Sequence, residues 1–329
     1  MRRFAGVMGV LGAAVLAPMA ARAQQVADTS FDVSVSRPAY PRGTGPSVAI
    51  DEAHHNFHTM SGRYAPFARL LENDGYRVSA NTAPFTRESL APLQVLVIAN
   101  AIGGEWNTEA FGRAGFTDAE ADALEAWVGQ GGLLLLVADH APMGVAAEVL
   151  GRKFGVGMSK GFTEDPEHFF QEFGGPSILL FTRENGLLRD HAITRGRDST
   201  ERVSRVVAFT GQSLAGPPEA EVVLALGDRA IDHPSPTVEQ VRARGSPGTA
   251  WRTAIAGLPT TSARGRAVAL ALPHGRGRVF VLGEAGMLSA QAVRNQAGEL
   301  LGIMGMNVPG LDNKQLALNI LHWLTGVLP

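Results

Sequence analysis

The chain contains no cysteine in 329 residues. That excludes disulfides, a thiolate nucleophile and a lipid-modified N-terminal cysteine. An excess of one charge is missing too. Twenty-nine basic residues stand against 31 acidic ones, a formal net charge of −2, which excludes a generally basic nucleic-acid binder. There is no internal repeat, no low-complexity run and no HExxH zinc signature. The apolar run from Phe4 to Ala17 is short for a membrane span. With 45% hydrophobic and 18% charged residues, the composition fits neither a disordered chain nor a polytopic membrane protein. It is that of a globular protein of one large domain or two ordinary ones.

Arg2 and Arg3 followed by uncharged Phe4–Ala17 and by Ala21-Arg22-Ala23 have the pattern of a secretory signal, predicting a periplasmic or secreted protein with no membrane span after cleavage. Removing residues 1–23 takes away three of the 29 basic residues and none of the 31 acids, so the net charge moves from −2 to −5. Without disulfides, the stability of such an exported chain must come from its core. Residues 24–45 hold Ser-Arg-Pro, Tyr-Pro and Gly-Thr-Gly and read as a linker or N-terminal arm. One α/β domain is expected from 46 to 329.

Its pattern alternates. Ser47–Ile50 reads as a strand, and Tyr64, Phe67, Ala68 and Leu71 follow at helical spacing up to Gly75. Tyr76–Ser79 and Gln94–Ala99 read as strands. Thr117-Asp-Ala-Glu120 is a capping box opening a helix with Ala121, Leu124 and Val128 on one face. Leu133–Val137 is apolar throughout. Continuous apolar strands between helices predict a flavodoxin-like, doubly wound, mainly parallel sheet covered on both faces. Ala267–Leu272 and Arg278–Leu282 flank a Pro-His-Gly-Arg-Gly turn, a late β-hairpin. Leu316, Ile320, Trp323 and Leu324 mark a final helix. Residues 150–265 form an elaborated middle with three further strands.

Ligands of such sheets bind beyond the carboxyl ends of the strands. Polar residues gather there: Asp51, His54, His55, Asn56 and His58 after the first strand, Asn100 after the third, Asp139-His140 after the fourth, Glu284 after the last. The first of these loops runs about a dozen residues, against roughly 2–6 for ordinary βα loops. Asp51 and Asp139 could simply cap helices, and His140 could be a satisfied interior histidine. Glu284, between Leu282 and Gly286, needs a partner if buried.

Three chemistries fit. Asp51, His54 and Asp139 could ligate one divalent transition metal, zinc or manganese. His140, Asp139 and Glu284 could perform acid–base catalysis without one. In either case Asn100, His55 and His191, the last in a polar loop able to reach over the site, would hold a small polar ligand or carbohydrate. The third is a ligand-binding module of the cell envelope using the same groups. Gly157-Met-Ser159-Lys-Gly161 matches GxSxG only formally, since an acidic, proline-containing stretch follows where the nucleophile elbow needs a helix.

The segments Asp-Glu-Ala-His-His-Asn-Phe-His at 51–58, Ala-Asp-His-Ala-Pro at 138–142, His-Ala-Ile-Thr-Arg-Gly at 191–196, Gly-Arg-Val-Phe-Val-Leu-Gly-Glu-Ala at 277–285, Gly-Met-Asn at 305–307 and Leu-Asn-Ile-Leu-His-Trp-Leu at 318–324 resemble exported proteins of the class I glutamine-amidotransferase-like superfamily, of ThuA and GldG type. The resemblance implies the fold. It implies no glutamine hydrolysis, because Asp139 stands where that superfamily carries its nucleophilic cysteine. It supplies no substrate.

Overall fold

The computed structural model describes residues 24–244 and 250–329; the expected signal segment lies outside the described residues. Its centre is a nine-stranded sheet. In chain order the strands are β1 (Ser47–Asp51), β2 (Arg77–Asn81), β3 (Val95–Ala99), β4 (Leu133–Val137), β5 (Gly157–Met158), β6 (Leu214–Ala215), β7 (Glu221–Ala225), β8 (Ala267–His274) and β9 (Gly277–Leu282). They lie in the order β2-β1-β3-β4-β9-β8-β6-β5, with β7 also on β8. The first five are mutually parallel, and the rest add antiparallel. Strands β2-β1-β3-β4-β9 follow the flavodoxin-like order, whose chain direction reverses between β1 and β3 and leaves a crevice there.

The long helices are α1 (Ala65–Asn73), α2 (Asp118–Gly129), α3 (Met143–Lys153) and α4 (Asn313–Leu324). Alternation along β4 splits the core in two. Leu135 and Val137 face Phe67 and Leu71 of α1 and Leu316 and Ile320 of α4. Leu134 and Leu136 face Leu124 and Val128 of α2 and Leu150 of α3. A strand with helices on both faces has no solvent side, which is why β4 is apolar at every position. Each fully buried leucine there contributes about 1.5–3 kcal/mol by leaving water.

Local signals hold where they are strongest. Thr117 and Glu120 form the capping box of α2 as expected. α1 is followed by Gly75 at φ +98°, where a Cβ would stand 2.2 Å from the Tyr40 carbonyl oxygen; no other residue fits that turn. The late hairpin is β8–β9. In the middle region, Ile178–Thr182 pairs with Arg205–Phe209, and Phe162–Glu164, Ile231–His233 and Thr261–Ser262 make a small separate sheet. Ser159 is followed by the Phe162–Glu164 strand and not a helix, so no nucleophile elbow exists there. Residues 24–45 are pinned along their length: Gln24–Ala27 pairs with Ala290–Arg294, Asn73 donates to the Val33 carbonyl at 2.9 Å, and Asp74 accepts the Ala39 amide at 2.7 Å. Among the described residues no helix is long and apolar enough to cross a membrane.

Candidate functional site

Register places Ala99 beside Val137 and Val137 beside Leu282, with Ile50 beside Val97. The exits of β1, β3, β4 and β9 therefore open on one edge, as the sequence predicts. The polar residues at that edge divide into two groups with different chemistry.

The first group is Asp51, His54 and Glu120. Asp51 ends β1, fully buried, and accepts from Asn81 Nδ2 at 3.0 Å. His54 Nδ1 lies 2.8 Å from Asp51 Oδ2 and His54 Nε2 lies 3.0 Å from Glu120 Oε1. Two carboxylates facing both ring nitrogens require both to be donors, so the ring is an imidazolium. Burial opposes that charge, but Asp51 and Glu120 outweigh it and raise the His54 pKa. Burial also works against ionised Glu120, and His54 with the Thr117 donors overcomes it, bringing Glu120 down to about 2. Phe85 and Phe116 flank the ring, each with its centroid at 4.5 Å. This group ties the β1 exit to the start of α2.

It also separates the expected metal ligands. Asp51 and His54 meet, but Asp139 stands in the second group: among the described residues no group of three or more His, Asp or Glu side chains is placed to hold a metal ion. The physical reason is that His54 spends both nitrogens on carboxylates and keeps no lone pair for a metal.

The second group lies over β3, β4 and β9. Asp139 follows β4, and its Oδ1 accepts the His140 amide at 2.7 Å while Oδ2 faces the Ala285 amide at 3.4 Å. Glu284 follows β9, and its two oxygens accept the Gly286 and Met287 amides, each at 2.7 Å. Glu284 is 1% exposed. Burial, reinforced by the Asp139 charge, pushes it up to about 8 against those amides. Burial raises Asp139 too, opposed by His140 and its backbone donors. Glu284 therefore keeps its proton at neutral pH, with the charge of Asp139 among the causes.

Asn100 and His140 complete the core of the group. Asn100, at φ +52°, accepts the Asp139 amide on Oδ1 at 3.0 Å and places Nδ2 3.1 Å from His58 Nδ1. A side-chain amide nitrogen only donates, so His58 Nδ1 accepts and its proton sits on Nε2. That Nε2 is buried without a hydrogen-bond partner. Burial, helped by the charges of Arg63 and His140, drops the His58 pKa to about 3, so the ring is neutral. His140 is 24% exposed on its side chain, with Nδ1 2.8 Å from the Ala141 carbonyl and Nε2 4.0 Å from Asp139 Oδ1. Gln212 clamps the turn from beneath by donating to the Ala138 and Asp139 carbonyls at 2.9 and 3.0 Å.

Two expected ligand-binding residues stand elsewhere. His55, at φ +50°, turns outward; its nearest carboxylate is exposed Glu105 at 3.7 Å. His191 caps the short helix Ala192–Arg195 by accepting the Ile193 amide and lies edge-on to Trp323. The Trp323 carbonyl is held by Arg278 at the amino end of β9, so His191 belongs to the opposite end of the sheet. The loop around it closes over nothing at the carboxyl edge. Conversely, Arg63, Gln212 and Arg252 belong to the site or its rim without having been singled out for it, and His58 was placed at the strand exit without a role. His58 and Arg63 lie in or just after the long first loop, which was a signal. Gln212 and Arg252 carry no sequence pattern.

No protein-family model matches the chain, and no curated protein matches it. Among solved structures it is similar to the mmIFT52 N-terminal domain, at 14% identity over 85% of this chain and 97% of that one, with a TM-score of 0.53. The likeness is one of fold. A ThuA-like protein from Bacteroides uniformis is also similar, at 15% identity, 88% and 93% coverage and a TM-score of 0.43. So is a cytoplasmic protein from Salmonella typhimurium, at 12% identity, 85% and 99% coverage and a TM-score of 0.44. Identities this low carry no substrate and no residue roles.

Proposed function

We propose that the chain is a hydrolase-like acid–base catalyst for a small polar ligand, of carbohydrate type, bound at the carboxyl edge of the sheet. One observation carries the reading: Asp139 and Glu284 are paired carboxyls whose affinities for protons are pushed upward together by burial, with His140 on the same turn and partly open to solvent. Titratable groups in one cleft that hold different charges at neutral pH are the usual basis of acid–base work. Asp139, ionised, takes a proton from an attacking water. His140 hands one to the leaving oxygen. Glu284 is too buried to touch a ligand and acts as a positioning residue that limits the pair to one negative charge. The hydrogen bonds of His54 favour this version over a metal-assisted one.

A binding module is the second reading. It is favoured by the backbone amides directed at all four oxygens of Asp139 and Glu284, which would make a rigid wall without chemistry. Chromogenic glycosides and esters separate the two. The parent is expected to turn over at least one, and His140→Ala to lose about 100-fold or more in rate while keeping its circular dichroism. No turnover by the parent on any of them, with ligand still bound, supports the binding module instead.

A further inference from the structure

Beside this site the molecule holds an unusual cation. Arg63 precedes α1 and is half-buried. Its guanidinium lies 4.2 Å from the centroid of the Phe57 ring. Burial lowers its pKa, and the one charge acting in the other direction is that of Asp139. Among the described residues it makes no hydrogen bond or salt bridge, although Arg37, Arg197 and Arg266 each bond carboxylates, hydroxyls or carbonyls within the fold. Five N–H donors in a planar fork are thus held in place by stacking and bonded to no protein group among the described residues.

Three neighbours give the fork a direction. His58, close enough for the Arg63 charge to act on it, carries the unpartnered Nε2–H. Trp106 packs on Phe57 with ring centroids 5.0 Å apart, and both rings are half-exposed. Arg252 places Nη2 2.9 Å from Thr210 Oγ1, and its charge meets those of Glu164 and Asp139. With Glu284 protonated, the Arg63 and Arg252 guanidiniums both act on Asp139, and Arg252 also meets the charge of Glu164. The Arg63 cation stands next to an aromatic ledge made by Phe57 and Trp106.

We infer that the ligand of this site is a sugar acid, its ring on Phe57 and Trp106 and its carboxylate on the Arg63 fork. This rests on the proposed carbohydrate-type ligand and narrows it to the acidic members of that class. A planar carboxylate matches a guanidinium with two parallel N–H···O bonds. An aromatic ledge accepts the apolar face of a sugar ring, as it does any flat apolar surface. A phosphate dianion fits less well, because its second charge meets Asp139.

The test is calorimetric titration of the full chain with three probes of one ring type: D-glucuronate, D-glucose and glucose 6-phosphate. Glucuronate is expected to bind at least about tenfold tighter than glucose, the difference made by one charged bidentate contact. Arg63→Ala should remove that difference. Arg63→Lys, which keeps the charge without the fork, should restore only part of it. Trp106→Ala should weaken both sugars together. The melting temperature of each variant shows whether it remains folded, and the lysine variant serves if the alanine one does not. Equal affinity for glucuronate and glucose, no binding of either, or unchanged selectivity in Arg63→Ala overturns the inference. Tighter binding of glucose 6-phosphate overturns the carboxylate class. Turnover is a separate readout. Selective glucuronate binding with an inert active site leaves this inference standing and sinks the catalytic reading, and the reverse result does the opposite.

Discussion

Replacing Glu284 by glutamine should reverse the order of stability between variant and parent as pH rises. In the folded protein Glu284 keeps its proton up to about 8, whereas an ordinary glutamate loses it near 4.5. A carboxyl raised in this way contributes stability that is fully present below pH 4.5 and is lost as pH climbs through about 8. Over that window the loss is on the order of 5 kcal/mol, at ~1.4 kcal/mol for each tenfold change in proton affinity. Glutamine does not titrate and escapes it. At acid pH glutamine has its own defect: the Gly286 and Met287 amides both point at the side chain, and an NH₂ group cannot accept. One unsatisfied buried donor costs about 1–3 kcal/mol. Urea unfolding followed by circular dichroism from about pH 4.5 to about pH 9 is the assay. Glu284→Gln should be less stable by roughly 1–3 kcal/mol at the acid end and more stable by roughly 2–4 kcal/mol at the alkaline end. Curves that stay parallel across the range would refute the buried, charge-coupled pair and the assignment of the proton to Glu284.

Three further outcomes follow from the same packing. His54→Ala leaves buried Asp51 without its cation and should lower stability by about 3–5 kcal/mol in chemical denaturation; a loss under ~1 kcal/mol would mean the pair is solvated. His58, held near 3, contributes stability that is present above about pH 6.5 and is lost as pH falls toward about 3. The acid limb of the stability profile should therefore flatten in His58→Leu, and an unchanged limb would assign acid sensitivity elsewhere. Gly211→Ala puts a Cβ 2.3 Å from the Gly283 carbonyl oxygen and 2.7 Å from Glu284 Cβ. It should lower stability by about 1–3 kcal/mol through overpacking and also shift the alkaline limb, because Glu284 must move; a melting curve matching the parent's at all pH would count against the close approach.

Much of the scaffold was readable along the chain because its signals are local. A strand buried on both faces must be apolar at each step, so Leu133–Val137 announced its place. Thr117 and Glu120 are three residues apart and cap α2 whatever else surrounds them. The exits carrying Asp51, Asn100, Asp139 and Glu284 were legible for the same reason: once four strands run parallel, their carboxyl ends share an edge. What each exit residue does there was not local. The second oxygen of Glu120 reaches His54 across 66 positions, which turned an expected metal ligand into an imidazolium between two carboxylates. The approach of Asp139 to Glu284, from strands joined by more than a hundred residues, sets the proton on the pair. His191 looked as polar as any of them, yet packing against Trp323 carried it to the other end of the sheet. Sequence spacing determines which side chains leave a strand or cap a helix, because those contacts lie within a turn. Which of them share a charge, a proton or a void depends on distances across the sheet and on the exclusion of water, and only the tertiary structure decided that.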